Sequence, residues 1–564
     1  VKISSTAPHS PLELSRYEHV RNRLQTLSEV TTARYGLAIL SGCLIFLPYA
    51  EPRLFVTGWI AFVPLLLAIR NRGLGESWLL GLVAGAVAWL GATSWMAEFL
   101  TIFKAYEAPR NYLTASLYWL YAGNSFALVA LALCWLQRHS RLPLVVLFPL
   151  VFVAVFNLYP MLFHSRLGEA QSHFLIALQA VELTGVYGLD FFLAMTSALL
   201  FVALVGPSGA HEKAWNITGV ALLGLWFGYG LYHVQAWDNK IAGWEARQVG
   251  IVQPNDRVSL DIPNPAPGYS RAYPPEMAAT EALAAQGAEL VVWPESRYKG
   301  YFAQRNVRAN YEALVADMGI SLLFHDLEWE RDAQGRRKSY NTVVHLGPDG
   351  HLEGTYRKIK RVPFGEYTPV VSEIPFIRRW AENYFGDFLR EITPGTDHAT
   401  FDAAGMRVVS RICYETAYPR FVAEGIGADA AGKILVFHSL DAGSAKPTSR
   451  LCTFTLPYFG RWKTAYRWFM RSTTDPLPLC YPTVALAISR QRLSTIPLLS
   501  RSLTLPTLAA AFSAGFRTYF CTRSTLSFSH SLHTPCGGES RAETASNERQ
   551  RVGFSRHPMK VSAS

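Results

Sequence analysis

Three residues in this chain have types and settings that suit covalent chemistry. Glu295 closes the run "LVVWPE", Lys358 follows "GTYR", and Cys413 closes "VVSRIC". Each ends a short β-branched stretch, and the ends of strands in α/β sheets are where sites are built. A cysteine, a carboxylate and a lysine form a workable acyl-transfer set. The thiolate attacks an acyl carbon, the carboxylate takes and returns a proton, and the ammonium stabilises the oxyanion and holds the thiolate. No histidine adjoins Cys413, which disfavours a Cys-His protease arrangement. Taken singly, each residue has a plainer reading. A strand cysteine is commonly a small buried apolar residue, a glutamate after Trp-Pro can cap a helix or face water, and Lys358 in "RKIKR" can be edge-strand charge. The stretch "GTYRKIKRVPFGEYTP" argues for more. A basic strand turns at once into Val-Pro-Phe-Gly and presents Glu366, so one lysine and one acid are delivered to one place.

The elements that must position these residues read as an α/β layered domain from about 246 to 441. "RQVGIVQPN" predicts a strand, and "EALAAQGAELVVWPES" predicts a helix, a strand and a turn. "GISLLFHDLEWE", "SYNTVVHLGPDGHLEGTYRK" and "MRVVSRICYE" predict further strands, with "PDG" as a hairpin turn.

The chain before this domain has a different texture. Residues 1–32 are polar and mixed, and 33–235 hold about seven apolar runs, near 33–50, 53–70, 77–95, 112–136, 143–161, 186–206 and 215–234. Charged residues make up only 17% of the chain, against about 25% for a soluble protein, so these runs predict a multi-pass membrane bundle. Basic loops after the second, fourth and sixth runs ("RNRG", "QRHSR") and ("HEK") share one side with the Arg-bearing N-terminal segment. The positive-inside rule makes that side cytoplasmic and places residues after 235 on the outer face. No cleavable signal-peptide pattern is read at the N-terminus. The seven cysteines lack metal-type spacing, so no zinc site or disulfide framework is expected. Of 53 Lys/Arg, 16 lie from Ala442 onward, with only 4 of the 42 Asp/Glu. The basic excess is therefore a property of the tail, and it does not argue for a nucleic-acid partner.

The segments "VVWPES", "YRKIKRVPFGEYTP" and "ICYE", in this order, resemble the nitrilase superfamily. With the membrane runs and "VPFGEY", the chain over roughly 33–441 is similar to its apolipoprotein N-acyltransferase branch. The resemblance implies an α-β-β-α sandwich on a bacterial inner-membrane bundle, with the sandwich on the periplasmic side. Glu295 would be the general base, Lys358 the oxyanion-side lysine and Cys413 the nucleophile. Glu366 would be a second acid that orients the site, and Tyr414 and Glu415 the neighbours of the nucleophile. It implies a phospholipid acyl donor, a diacylglyceryl apolipoprotein acceptor, no cofactor or metal, and a monomer. In "SEIPFIRRWAENYFGDFL", Ile377, Trp380, Tyr384 and Phe388 recur at helical spacing, as an interfacial arm or an ordinary packed helix would.

The family pattern stops at about 441. Residues 442–564 lack its "NDxWFG"-like loop, its "R-x-x-E-N" helix and its last membrane helix. Back-translation of "AGSAKPTSRLCTFT" allows, from the third base, "WFGKTDQPSLHLH". In the same shifted frame "FGRWKTAYRWF" allows "RALENRVPLV". The expectation is a single-base deletion near Asp441–Gly443 that leaves the tail out of frame, the sandwich short of strands and a sheet edge bare. The bland alternative is a disordered basic tail. Two rival functions remain at this stage: a membrane-tethered amidase using the same triad, and a non-catalytic membrane protein.

Overall fold

The computed structural model describes residues 30–439, apart from 162–165, 207–208, 244–245, 253–261, 263, 296–297, 364, 368–373, 377–378, 380–382, 384–390 and 431. Beyond 439 it describes three short strands. The segment that carries Ile377, Trp380, Tyr384 and Phe388 lies outside the described residues.

Among the described residues, five helices are long and apolar enough to cross a membrane. They are α1 (Thr31–Ala50), α4 (Leu74–Ala92), α6 (Arg110–His139), α10 (Val186–Val205) and α11 (Ala210–Ala242). Two expected spans are shorter than the sequence suggests. The run at 53–70 opens with a 3-10 turn at Pro52–Leu54 and is then split by a turn at Ala61 and Phe62 into α2 (Thr57–Ile60) and α3 (Val63–Ile69). The run at 143–161 gives α7 (Leu144–Leu158), about 22 Å at 1.5 Å per residue, which is less than the roughly 30 Å hydrocarbon core. A short α5 (Trp95–Lys104) and the pair α8 (Leu175–Gln179) and α9 (Val181–Thr184) complete the region. α4 and α6 meet backbone to backbone. A Cβ on Gly85 would lie 2.3 Å from the Gly123 carbonyl oxygen, so only glycine fits this crossing.

The second region is a four-layer sandwich. Its first sheet is built from β1 (Ala246–Ile251), β2 (Leu290–Val292), β3 (Ser321–Arg331), β4 (Arg337–Leu346) and β5 (Leu352–Arg357). The second sheet contains β6 (Phe401–Ala403), β7 (Met406–Ile412) and β8 (Lys433–Ser439). The period-two alternation of each strand assigns its faces. Leu290, Val292, Leu323 and Val343 of the first sheet share one core with Val408, Ile412, Ile434 and Val436 of the second. On the outer face of the first sheet, Val291, Leu322, Phe324 and Val344 pack with Val307, Tyr311 and Val315 of α13 (Arg305–Met318) and with Met277 and Leu283 of α12 (Pro275–Ala284). Val409, Leu435 and Phe437 cover the other outer face with Phe421, Val422 and Ile426 of α14 (Pro419–Ile426).

The expected bare edge is not found. β10 (Thr483–Ile488) pairs antiparallel with β8, from Thr483 opposite Ser439 to Ile488 opposite Ile434, and β9 (Arg467–Trp468) pairs with β10. β11 (Arg492–Thr495) adds to β1 in parallel. The sheets are therefore ordered β11-β1-β2-β3-β4-β5 and β6-β7-β8-β10-β9. The physical reason is that a free edge offers a row of backbone donors and acceptors. Any extended apolar segment such as "TVALAI" can occupy it without side-chain instruction.

Candidate active site

The first sheet delivers two of the site residues through a shared polar strand. Lys358 comes directly after β5, where its N–H donates to the Asn341 carbonyl of β4 at 2.8 Å and its own carbonyl accepts from Gly395 at 2.8 Å. Its side chain is 1% exposed. The ammonium donates to Glu366 Oε1 at 2.8 Å and lies 3.9 Å from Glu295 Oε1. Burial works against the ammonium, but Glu366, then Glu295 and Cys413, hold its pKa well above the ordinary lysine value. The lysine is thus a fixed cation, with Glu366 its nearer carboxylate. Glu366 also accepts from Asn341 Nδ2 at 2.5 Å and from the Val362 N–H at 2.8 Å. The turn carrying Glu366 folds back by two bonds to the Val362 carbonyl, from Gly365 N at 3.2 Å and Glu366 N at 2.9 Å.

Glu295 follows β2 by way of Trp293 and Pro294. The Trp293 N–H continues the ladder to the Leu323 carbonyl at 2.8 Å, and its indole donates to Thr280 Oγ1 at 2.8 Å. Downstream, the loop is gathered by Asp326 of β3. Its carboxylate is fully buried and accepts from the N–H groups of Lys299 at 2.6 Å and Tyr301 at 2.7 Å.

Cys413 stands where β7 ends, with φ +47°, in the left-handed region that a non-glycine residue rarely occupies. Such strain is typical of functional turns that the surroundings over-determine. Here the surroundings are Glu415, which is fully buried. Its carboxylate accepts from Tyr356 Oη at 2.8 Å, Ile359 N at 2.7 Å and Lys360 N at 3.0 Å, and from Ile412 N at 2.8 Å. One carboxylate therefore ties the strand end bearing Lys358 to the strand end bearing Cys413. Tyr414 stacks edge-on against Tyr418 at 5.3 Å, and burial with a hydrogen bond to Tyr418 pushes its phenol upward.

The structure thus gathers Glu295, Lys358 and Glu366 around one ammonium that also feels Cys413, and it makes Glu415 a clamp. Sequence reasoning missed Asn341, Asp326 and His438. His438 Nδ1 donates to the Trp293 carbonyl across the sandwich at 2.8 Å, and its Nε2 lies 3.3 Å from Ser410 Oγ. The available signal was a polar residue inside an otherwise apolar strand, as in "LLFHDLEW", "SYNTVV" and "ILVFHS".

Two family models divide the chain as the fold does. An apolipoprotein N-acyltransferase N-terminal domain matches residues 41–199, and a carbon-nitrogen hydrolase domain matches 249–449. Across both regions the chain is similar to apolipoprotein N-acyltransferases. The Geobacter metallireducens apolipoprotein N-acyltransferase is 26% identical over 419 residues, which is 71% of this chain and 77% of that protein. The Chlorobaculum tepidum protein of the same name is 23% identical over 429 residues, 70% and 76% of the two chains. The Azotobacter vinelandii one is 28% identical over 319 residues, 52% of this chain and 54% of that one. The carbon-nitrogen hydrolase match ends at 449, close to where the family pattern stops in the sequence.

Proposed function

We propose that this chain is built as an N-acyltransferase of lipoprotein maturation. Cys413 gives its proton to Glu295 and attacks the ester carbonyl of a phospholipid. The Lys358 ammonium stabilises the oxyanion, and the lysophospholipid alkoxide leaves with the proton from Glu295. The α-amino group of a diacylglyceryl-cysteine then attacks the thioester, Glu295 takes its proton, the amide forms and the thiolate departs with Lys358 as counter-ion. Glu366 orients the lysine, and Tyr414 borders the acyl site. The observation that carries this reading is the buried Lys358 ammonium, which faces Glu366 and Glu295 and feels Cys413, a cysteine in a left-handed turn. The test is to incubate the membrane-embedded chain with phospholipid and look for a hydroxylamine-sensitive acyl adduct. Its presence on Cys413, and its loss in Cys413→Ala, is expected. An adduct that persists in Cys413→Ala overturns the nucleophile assignment.

The catalytic domain is proposed to face the periplasm from the inner membrane, with the protein acting as a monomer. An odd number of crossings supports this reading: if the five long helices cross, or these five with the 53–70 and 143–161 runs, residue 30 and residue 246 lie on opposite sides, whereas an even number would leave them on the same side. A reporter fused after Ser259 should be active only in exported form, and cytoplasmic activity there refutes the topology. The tail from 442 is proposed to be out of frame. Reading the DNA across codons 436–446 tests this directly, and an intact frame with no missing base refutes it.

A further inference from the structure

Close in sequence to Lys358 stand two cations that no carboxylate among the described residues neutralises. Lys360 and Arg361 follow Lys358 directly, and the Lys360 N–H is pinned to the Glu415 clamp at 3.0 Å. The Lys360 ammonium lies 5.8 Å from the Tyr418 ring centre and 5.4 Å from that of Phe421. The Arg361 guanidinium lies 4.4 Å over the Tyr367 ring, and its Nη1 donates to the Ile392 carbonyl at 2.9 Å. Among the described residues, neither cation has a carboxylate at ion-pair distance. Both are held by rings and backbone, so they are pre-oriented while their charge remains available.

These rings border the nucleophile. Tyr418 accepts the hydrogen bond of Tyr414, the residue next to Cys413, and Tyr367 is close enough to Tyr414 to disfavour its ionisation. So is Tyr118, which belongs to the membrane helix α6 and meets Trp89 of α4 edge-on at 6.2 Å. The phenol next to Cys413 in the chain thus packs on Tyr418 and lies within electrostatic reach of a helix of the bundle. We propose that Lys360 and Arg361 bind the phosphodiester of the acyl donor's headgroup. This rests on the phospholipid-donor reading above and deepens it. In a glycerophospholipid the phosphate sits a few bonds from the ester that Cys413 would attack, so cations on the strand end that Glu415 ties to that of Cys413 place that ester. Arginine matches phosphate oxygens with paired donors, and lysine adds a point charge.

The test does not depend on turnover. Alkylation of Cys413 by iodoacetamide is followed in the full chain in detergent, with a dialkyl (ether-linked) phosphatidylethanolamine or the matching dialkylglycerol as protectant. The wild type should be protected by the phospholipid at a concentration at least about tenfold lower than by the phosphate-free lipid. In Lys360→Gln/Arg361→Gln the two lipids should protect alike. A preference that survives in the variant, or none in the wild type, overturns the proposal. Protection by inorganic phosphate alone, lost in the variant, would identify a free-phosphate site and overturn the headgroup assignment. Failure of the donor reading itself is separate: it shows as no thioester from ester-linked phospholipid even though ether-lipid protection follows Lys360 and Arg361.

Discussion

The bundle and the sandwich are both apolar inside, yet they fix their residues by different means. The bundle relies mainly on close backbone approach, as at Gly85 and Gly123, and on small buried residues such as Ala84, Ala88 and Ala122. The bundle buries a few charged groups as well, with Asp190 accepting from Gly168 N at 2.7 Å and Glu169 from Arg166 N at 2.9 Å, but the sandwich sets such groups around the candidate site: Glu415 between two strand ends, Asp326 beneath the loop after Glu295, and Glu366 on Lys358. Apolar packing sets shape within a fraction of an ångström but is tolerant of which apolar residue supplies it. A buried charge is intolerant, because losing a partner leaves an unpaid desolvation cost. The candidate catalytic residues are therefore held by intolerant contacts, while most of the bundle's interior is of the tolerant kind.

That contrast is broken most directly at the triad. In a frame-restored chain, Glu295→Gln removes the base and Lys358→Met removes the ammonium, and each should lower acyl transfer by about 10²–10⁴-fold. Wild-type rates in either variant remove that residue from the mechanism. Next comes the clamp. Glu415→Leu strands the Tyr356 hydroxyl and the N–H groups of Ile359, Lys360 and Ile412. The expected cost is about 3–5 kcal/mol of stability, measured by denaturant unfolding of the chain in detergent. A change below about 1 kcal/mol would mean that water or neighbours replace the carboxylate with ease.

The apolar part of the bundle should respond less, and most at its close crossing. A Cβ on Gly85 meets the Gly123 backbone, whereas one on Gly36 meets nothing within 4 Å. Gly85→Ala should cost about 1–3 kcal/mol by overpacking, and Gly36→Ala should be neutral or slightly stabilising. Equal thermal shifts for the two in detergent would show that the α4–α6 crossing is loose.

Much of this architecture is legible in the sequence, for identifiable reasons. Strands buried on both faces announce themselves as short apolar runs between turn residues, so β3, β4 and β7 are readable in "GISLLFHDLEWE", "SYNTVVHL" and "MRVVSRIC", and β5 from the "PDG" turn before it. The turn that returns Glu366 to Lys358 is readable because Pro-Phe-Gly cannot continue a strand. The rest depends on information that sequence carries weakly. Hydropathy could not tell a span from the broken 53–70 run or the short Leu144–Leu158 helix. Nor could it foresee that Glu415 folds under the nucleophile, because the partners Tyr356, Ile359 and Lys360 lie more than fifty residues away. The partner at the β8 edge is not legible in the sequence, because backbone pairing of β10 asks almost nothing of side-chain identity.

The smallest effect sharpens the comparison at the seam between the two sheets. His438 is buried and joins the second sheet to the Trp293 carbonyl, two residues before Glu295. Burial lowers its pKa from an ordinary 6.5 to about 4, with the Trp293 bond opposing the shift. The folded value lies below the unfolded one, so the stabilisation is fully present above pH 6.5 and is lost as the pH falls toward 4. Between pH 7.5 and 5.5 this one group should account for about 1 kcal/mol of lost stability. His345, also lowered to about 4 by burial, titrates in the same window, so the wild type alone is not diagnostic. The measurement is the difference in pH dependence between the wild type and His438→Leu, by denaturant unfolding in one detergent. The variant should be less steep by about 1 kcal/mol over that range. His438→Asn, which keeps a donor for the Trp293 carbonyl, should flatten the curve equally while holding more stability at pH 7.5 than His438→Leu. Identical slopes in wild type and His438→Leu would mean that His438 takes up its proton within the fold without penalty. The seam beside Glu295 would then be as tolerant as the bundle.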